Sequence, residues 1–360
     1  MGAGAVNLNF LKMKRAIGIF TVLLFISVCL LTSCNKKDEP ATDVPDTDAY
    51  VTDVCGNKYR VVEIGGQTWM AENMRCDTYD TQSEKPGEKI QYINVGDRSL
   101  WKDVDCVNLT DEQVSKFGYR YVLYYPGSIY APQSICPNGW HIPDRNEWTT
   151  LLNYGSDKTS NFFNNDSHGA KRLKSKDGWY SCDEKYKNGT DYYSFNVLPI
   201  GYIDLDGKVA NVGKTCSSVF VSNTNYGGNE FCELAFAYDS DECTSFKAVG
   251  GAYHSVRCIK DGSLWFLTNI NENRYYEVKG DSEIKINVGS NYLCVAESNK
   301  DWVACETKSG SELNISQPFN SQIILSVDAN NTDIDDVALV TFSAANVVMT
   351  TISIHRLPVK

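Results

Sequence analysis

The chain has 360 residues, with 45 acidic against 34 basic side chains and a net charge of −11. That length exceeds one typical domain and points to two. The acidic balance excludes nucleic acid and anionic membrane surfaces as partners, because both are bound through basic patches.

The first element is a leader. Lys12, Lys14 and Arg15 precede an apolar run from Ala16 to Leu31 that is shorter than the ~20 residues a membrane-spanning helix needs. It closes on Leu31-Thr32-Ser33-Cys34, which resembles a bacterial lipobox. That resemblance implies cleavage after residue 33 and a lipid on Cys34, so that the membrane is met through the lipid alone. Lys37-Asp38-Glu39 is similar to the tag that carries lipoproteins of the Bacteroidetes group to the outer face of the outer membrane. The expected location is therefore the outer membrane, lipid-anchored and facing the surroundings.

Residues 34–50 are polar, acidic and proline-bearing, as a flexible tether requires. Alternation over Tyr59–Ile64, the Gly65-Gly66 turn and Gln67–Met70 predict a hairpin. After Pro143, Asp144 and Glu147 have the spacing of a capping box, and Trp148, Leu151 and Leu152 fall on one helical face. A second short helix is predicted over 170–175, followed by an aromatic, glycine-rich stretch with short strands to about Arg257. From residue 262 the pattern changes to alternating runs separated by polar turns, with no helical period. These include Ile284, Ile286 and Val288, then Ile323, Leu325 and Val327, then Ala338, Val340 and Phe342, then Ile352 and Ile354. That spacing predicts an antiparallel sandwich of about a hundred residues.

Cysteine usage agrees with export. The cysteines are widely spread and form no Cys-x-x-Cys pair, so disulfides are expected rather than a zinc site. The number beyond Cys34 is odd, so at least one thiol is left over within the chain. The partners of Cys55, Cys76, Cys106, Cys182 and Cys216 stay open.

Several motifs occur in order: DVCGNKYRVVEIGGQTWMAEN over 53–73, then Cys136 to Pro143 (CPNGWHIP) with Glu147-Trp148 behind it. Leu173-Lys174-Ser175 before Gly178-Trp179, Phe195 to Tyr202 (FNVLPIGY) and Ser255-Val256-Arg257-Cys258 follow. Together these resemble the Fibrobacter succinogenes major paralogous domain. The family's usual Trp-Ser-Ser-Thr segment is only echoed by Cys216-Ser217-Ser218-Val219. The resemblance implies an α+β C-type lectin-like domain over 51–261, with Cys136 joined to Cys258 and Cys232 to Cys243. Residues 262–360 are similar to the BACON domain at Asp301-Trp302-Val303, Ser309-Gly310-Ser311 and Asn330-Asn331-Thr332. This implies an all-β immunoglobulin-like sandwich, in which Cys294 and Cys305, flanking Trp302, are expected to staple adjacent strands.

Catalytic signatures are missing: there is no Gly-x-Ser-x-Gly, no His-Glu-x-x-His and no phosphate-cradling loop. Glu-Pro-Asn and Trp-Asn-Asp calcium triplets are absent too, and Asp204, Asp206 and Asn211 around Gly207 read better as an Asp-Gly hairpin than as a calcium turn. No enzyme, cofactor or metal is expected. Trp69, Trp140 and Trp148 read as core, and His141 as a hydrogen-bonded structural histidine. The candidate ligand site is Tyr202, Asn223, Asn225, Tyr226, Asn229 and Glu230, because loops rich in tyrosine and amides suit polar ligands. A polysaccharide or glycoprotein glycan is the expected partner, with a structural subunit of a surface appendage or complex as the alternative. The leader generates the first prediction. Cys34→Ser leaves the protein unacylated, and fractionation finds it released from the membrane pellet that retains the wild type.

Overall fold

The computed structural model describes residues 49–81, 86–102, 104, 107–122, 135–154, 156, 169–181, 188–221, 231–247, 253–309 and 318–359, with backbone alone at 122, 216–221, 231–233 and 245–247. The leader and nearly all of the tether lie outside these residues. Among them no helix is long and apolar enough to cross a membrane.

The first half is built on two sheets. Gly65 and Gly66 both take positive φ and turn Lys58–Ile64 back as Gln67–Met70, the predicted hairpin. Tyr50–Thr52 extends this pair on one side, and Ile259–Lys260 and then Trp140–His141 on the other. A six-stranded sheet has the order Cys243–Lys247, Phe231–Ala237, Thr215–Val221, Tyr253–Val256, Tyr119–Val122 and Tyr92–Asn94. One helix of nine residues, Arg145–Asn153, carries the predicted cap: Asp144 Oδ1 accepts from Glu147 N at 2.9 Å and Glu147 Oε2 accepts from Asp144 N at 2.8 Å. Its inner face delivers Trp148, Leu151 and Leu152 to the core. There the Trp148 ring meets Trp69 at 4.8 Å, and Phe195 packs edge-on to both.

From residue 262 onward the described elements are all strands. Phe266–Thr268, Ser282–Ser290, Ser321–Val327 and Val303–Ser309 form one four-stranded sheet. Tyr275–Lys279, Val347–Leu357, Asp336–Ala344 and Cys294–Ser298 form another. Both contribute to one core that includes Ile286, Val288, Ile323, Leu325, Val340, Phe342, Ile352 and Ile354. Residues 44–360 make one compact unit. Thr150 on the helix joins the halves. Its hydroxyl accepts from Phe266 N at 2.8 Å, and its proton is nearer to Asn146 O, at 2.7 Å, than to Phe266 O, at 3.2 Å. Arg274 Nη1 adds a bond to Ser156 O at 2.6 Å.

The structure corrects the expected fold class. Among the described residues strands in several small sheets dominate, and no α+β C-type lectin-like arrangement is evident. The described helices are Asp111–Ser115, Arg145–Asn153 and Ala170–Leu173. The last has only four residues, because after Leu173 the chain is drawn into buried bonds: Lys174 Nζ donates to the carbonyls of Ala237 and Ser240. The expected antiparallel pattern of the second half is corrected at one pair, since Tyr275–Lys279 pairs in parallel with Val347–Leu357.

Two disulfides are present among the described residues. Cys136 and Cys258 are bonded across 122 residues, and Cys55 and Cys76, whose pairing the sequence leaves open, across 21. By chain entropy such loops stabilise by about 5 and about 3 kcal/mol. Cys294 and Cys305 are not bonded. They lie on strands of different sheets, opposite Ala344 and Leu325, and each remains a thiol. The Cys232–Cys243 pairing meets a backbone obstacle. Both residues lie on strands of one hairpin, Cys232 opposite Lys247 and Cys243 opposite Phe236. Four rungs separate the two positions, well beyond the ~7 Å between Cα atoms that a disulfide spans.

His141 ties the end of the first half to the helix. Its Nδ1 lies 2.7 Å from Asp261 Oδ1, and its Nε2 lies 3.0 Å from both carboxylate oxygens of Glu147. Burial disfavours the imidazolium, but the hydrogen bonds and charges of Glu147 and Asp261 outweigh it and raise the pKa to about 9. At neutral pH the ring is a cation donating from both nitrogens.

Two predictions follow from this packing. Trp148→Ala leaves a large void between Trp69 and Phe195, and urea unfolding should show a loss of roughly 3–5 kcal/mol. For His141, the folded pKa lies above the ~6.5 of an unfolded histidine. Its contribution to stability is full below about pH 6.5, declines through the window and is gone above about pH 9. Unfolding free energies at pH 6, 7.5 and 9.5 should therefore converge between wild type and His141→Gln as the pH rises.

Candidate ligand-binding surface

The segment 195–201 places Tyr202. Gly201 has φ 72°, and a Cβ there would sit 2.2 Å from Ala210 O, so only glycine fits. Its N–H donates to Thr215 O at 2.8 Å, and its carbonyl accepts from Nη2 of the buried Arg120. A second buried arginine, Arg257, donates to Phe195 O at 2.5 Å and to Asn73 Oδ1 at 3.1 Å. Two guanidinium groups thus hold this segment by its carbonyls. Tyr202, at 44% exposure, is presented on the short hairpin Tyr202–Ile203 with Val209–Ala210.

The hairpin tip is the expected Asp-Gly turn. Gly207 has φ 72°, and Asp204 Oδ1 accepts from the N–H groups of Asp206 and Lys208 at 3.0 and 2.9 Å. Its carboxylates are engaged by a side chain. Lys102 Nζ lies 2.5 Å from Asp204 Oδ2 and 3.0 Å from Asp206 Oδ2. The Lys102 hydrogen bond is the main reason the Asp204 carboxyl is held below its usual pKa. Asn211 lies in the left-handed region at φ 56°. The two carboxylates of the turn share one ammonium, which offsets part of their charge.

Of the candidate site residues, only Tyr202 lies in the described part. Asn223, Asn225, Tyr226, Asn229 and Glu230 lie outside the described residues.

Other groups that could carry chemistry are committed to structure. Lys174 is buried, which lowers its pKa to about 8, and its ammonium is bonded to the Ala237 and Ser240 carbonyls at 2.9 and 2.7 Å and lies 4.9 Å from the Trp179 ring centroid. Asp53, Cys55 and Cys76 come close enough to resemble a metal-ligand set. The two sulfurs are bonded to each other, however, and the Asp53 carboxylate accepts from Cys55 N, Asn57 N and Tyr59 OH. A disulfide sulfur is not a thiolate and is no zinc ligand.

One surface feature escapes the sequence reading. The rings of Tyr92 and Tyr119 stack at 4.1 Å with 14° between their planes. Tyr119 and Tyr121 share one face of their strand, a spacing visible in Tyr119-Arg120-Tyr121. Nothing local shows that the edge strand carrying Tyr92 lies beside them.

These features define a β-rich, disulfide-bonded domain whose ordered motifs serve the core. The chain belongs to the Fibrobacter succinogenes major domain family, whose model matches residues 62–260, more than half of its length. No curated protein matches it. Among solved structures it is similar to a Bacteroides ovatus GH5 xyloglucanase in complex with a XXXG heptasaccharide, at 16% identity and a TM-score of 0.20. That match covers 27% of this chain and 19% of the xyloglucanase, so the chain spans about a fifth of that enzyme's length.

Proposed function

We propose that this protein is a lipid-tethered, non-enzymatic surface protein of the outer membrane that binds glycans through its family domain. The observation that carries the reading is Tyr202: a solvent-facing tyrosine held on a hairpin whose base and tip are both fixed. Sugars are recognised by rings that stack on their C–H faces and by hydrogen-bond groups at the rim. A backbone already held in place adds little ordering cost on binding. Lys102, Asp204 and Asp206 give the same hairpin polar groups that reach solvent. Of the signature tryptophans, Trp69, Trp148 and Trp179 are buried in the core and unavailable for stacking, whereas Trp140, also expected in the core, is only half-buried against the cluster that holds Cys136 and Cys258. The leader and tether support placement at the cell surface, and the similarity of residues 262–360 to the BACON domain is consistent with a protein that meets polysaccharide.

The test uses the full chain released by Cys34→Ser on a glycan array, followed by calorimetric titration with the retained glycan. Tyr202→Ala should weaken binding about tenfold, the loss of one stacked ring, while the melting temperature stays within a degree or two. Failure of the array to retain any glycan, or a Tyr202→Ala protein that binds as the wild type does, overturns the reading.

A further inference from the structure

The second tyrosine feature lies on the other face of the sheet. Successive residues of a strand point to opposite faces. Arg120 sends its guanidinium to Gly201 O, beside Tyr202, and to Tyr253 O at 3.2 Å. Its neighbours Tyr119 and Tyr121 therefore face away from the hairpin. Tyr121 is buried there, with its hydroxyl donating to Cys76 O at 2.9 Å. Tyr119 is covered on one side by Tyr92, which stands on the last strand of the sheet and is 37% exposed.

Three observations indicate what this stack can hold. The first is shape: the ring of Tyr92 on the short edge strand lies nearly parallel to that of Tyr119 on the strand beside it, and the outer ring is exposed to solvent. The second is its rim. Asp77 Oδ1 accepts from Lys89 Nζ at 2.7 Å and from the Thr78 hydroxyl at 2.8 Å, and Lys89 Nζ also reaches the Thr78 hydroxyl at 3.0 Å. Lys89 is 72% exposed and has hydrogen-bonding capacity left over. The Tyr119 N–H donates to Met74 O at 2.8 Å and the Tyr121 hydroxyl to Cys76 O, so the chain that leads into Asp77 and Thr78 runs beside the strand of Tyr119, and Thr78 pairs with Lys89. The third is charge. With −11 overall, the protein repels anionic polymers at long range. An extended peptide is the competing occupant, but this edge strand has only three residues, Tyr92–Asn94, and offers few ladder bonds.

We propose that the Tyr92–Tyr119 stack is a second ligand surface, separate from Tyr202, which takes a neutral polysaccharide by stacking a pyranose ring on Tyr92 and hydrogen-bonding its hydroxyls to the Lys89–Asp77–Thr78 rim. It shares the glycan class with the reading above, and its residues are different.

Native affinity gels containing hydroxyethylcellulose, glucomannan, arabinoxylan or galactan, with polygalacturonate as the anionic control, test it on the full chain carrying Cys34→Ser. At least one neutral polymer should retard the protein. Against that polymer Tyr92→Ala should raise the dissociation constant about tenfold, Lys89→Ala should raise it severalfold, and Tyr92→Phe, which keeps the ring, should bind nearly as well as the parent. A stack that only secures the edge strand would give a different pattern: Tyr92→Ala would lower the melting temperature and leave retardation as in the parent, which overturns the proposal. If Tyr92→Ala does not fold, Lys89→Ala decides, and unchanged binding in that variant overturns it. Binding that falls with Tyr202→Ala but not with Tyr92→Ala or Lys89→Ala removes this site and leaves the first reading standing. The converse removes Tyr202 and keeps the stack. Retardation by polygalacturonate alone, or by no polymer, overturns the neutral-glycan assignment.

Discussion

The nine-residue helix Arg145–Asn153 is the constraint on which the rest of the molecule depends. An isolated helix of that length is unstable in water, so its existence rests on what it touches. Trp148 enters the core against Trp69 and Phe195. Glu147 caps the helix start and also receives His141, while its backbone carbonyl accepts from Gln67 Nε2 at 2.9 Å. Gln67 in turn accepts from the Trp69 indole at 3.1 Å. Thr150, on the side away from Trp148, accepts from the Phe266 N–H and directs its own proton to Asn146 O at 2.7 Å. One short element therefore sets the position of the hairpin, the final strand of the first half and the first strand of the second.

This arrangement accounts for the density of aromatic and glycine signatures in the family-matched part. The tryptophans supply apolar area in a domain with little helix, and the glycines allow close approach where backbone passes backbone, as at Gly201 against Ala210. Arg120 and Arg257 then satisfy carbonyls of the irregular segment between Phe195 and Gly201 that no strand partner serves. Irregular backbone is tolerable inside the domain only because such donors are present. Among the described residues of the first half, the exposed tyrosines Tyr50, Tyr92 and Tyr202 sit on strands.

The second half has a different economy. Its core is mainly aliphatic, with Phe266 and Phe342 inside it and Trp302 at its margin, where the indole donates to Asp336 Oδ2 at 2.8 Å and Arg356 covers the ring at 4.2 Å. Cys294 and Cys305 illustrate how a plausible pairing fails: they are close in sequence and flank one tryptophan, but their strands belong to different sheets. Burial raises the Cys294 thiol pKa to about 12, which keeps it protonated and inert.

Periodicity and capping were legible in the chain itself. The cap at Asp144 and Glu147, the Gly65-Gly66 hairpin, the Asp-Gly turn at Gly207 and the buried alternating residues of the second half are local consequences of side-chain direction and backbone freedom, so the sequence by itself determined them. Motif order was enough to establish the family. Sheet partnership was not legible, because a strand's neighbour is chosen by packing over the whole domain. That choice turned an expected α+β domain into a set of small sheets and paired Tyr275–Lys279 in parallel with Val347–Leu357. It also set Tyr92 against Tyr119 from 27 positions away in the chain. The same holds for Lys102 and the acidic turn: an ion pair between residues 102 and 204 leaves no trace in local composition, and only the tertiary structure brings the charges together.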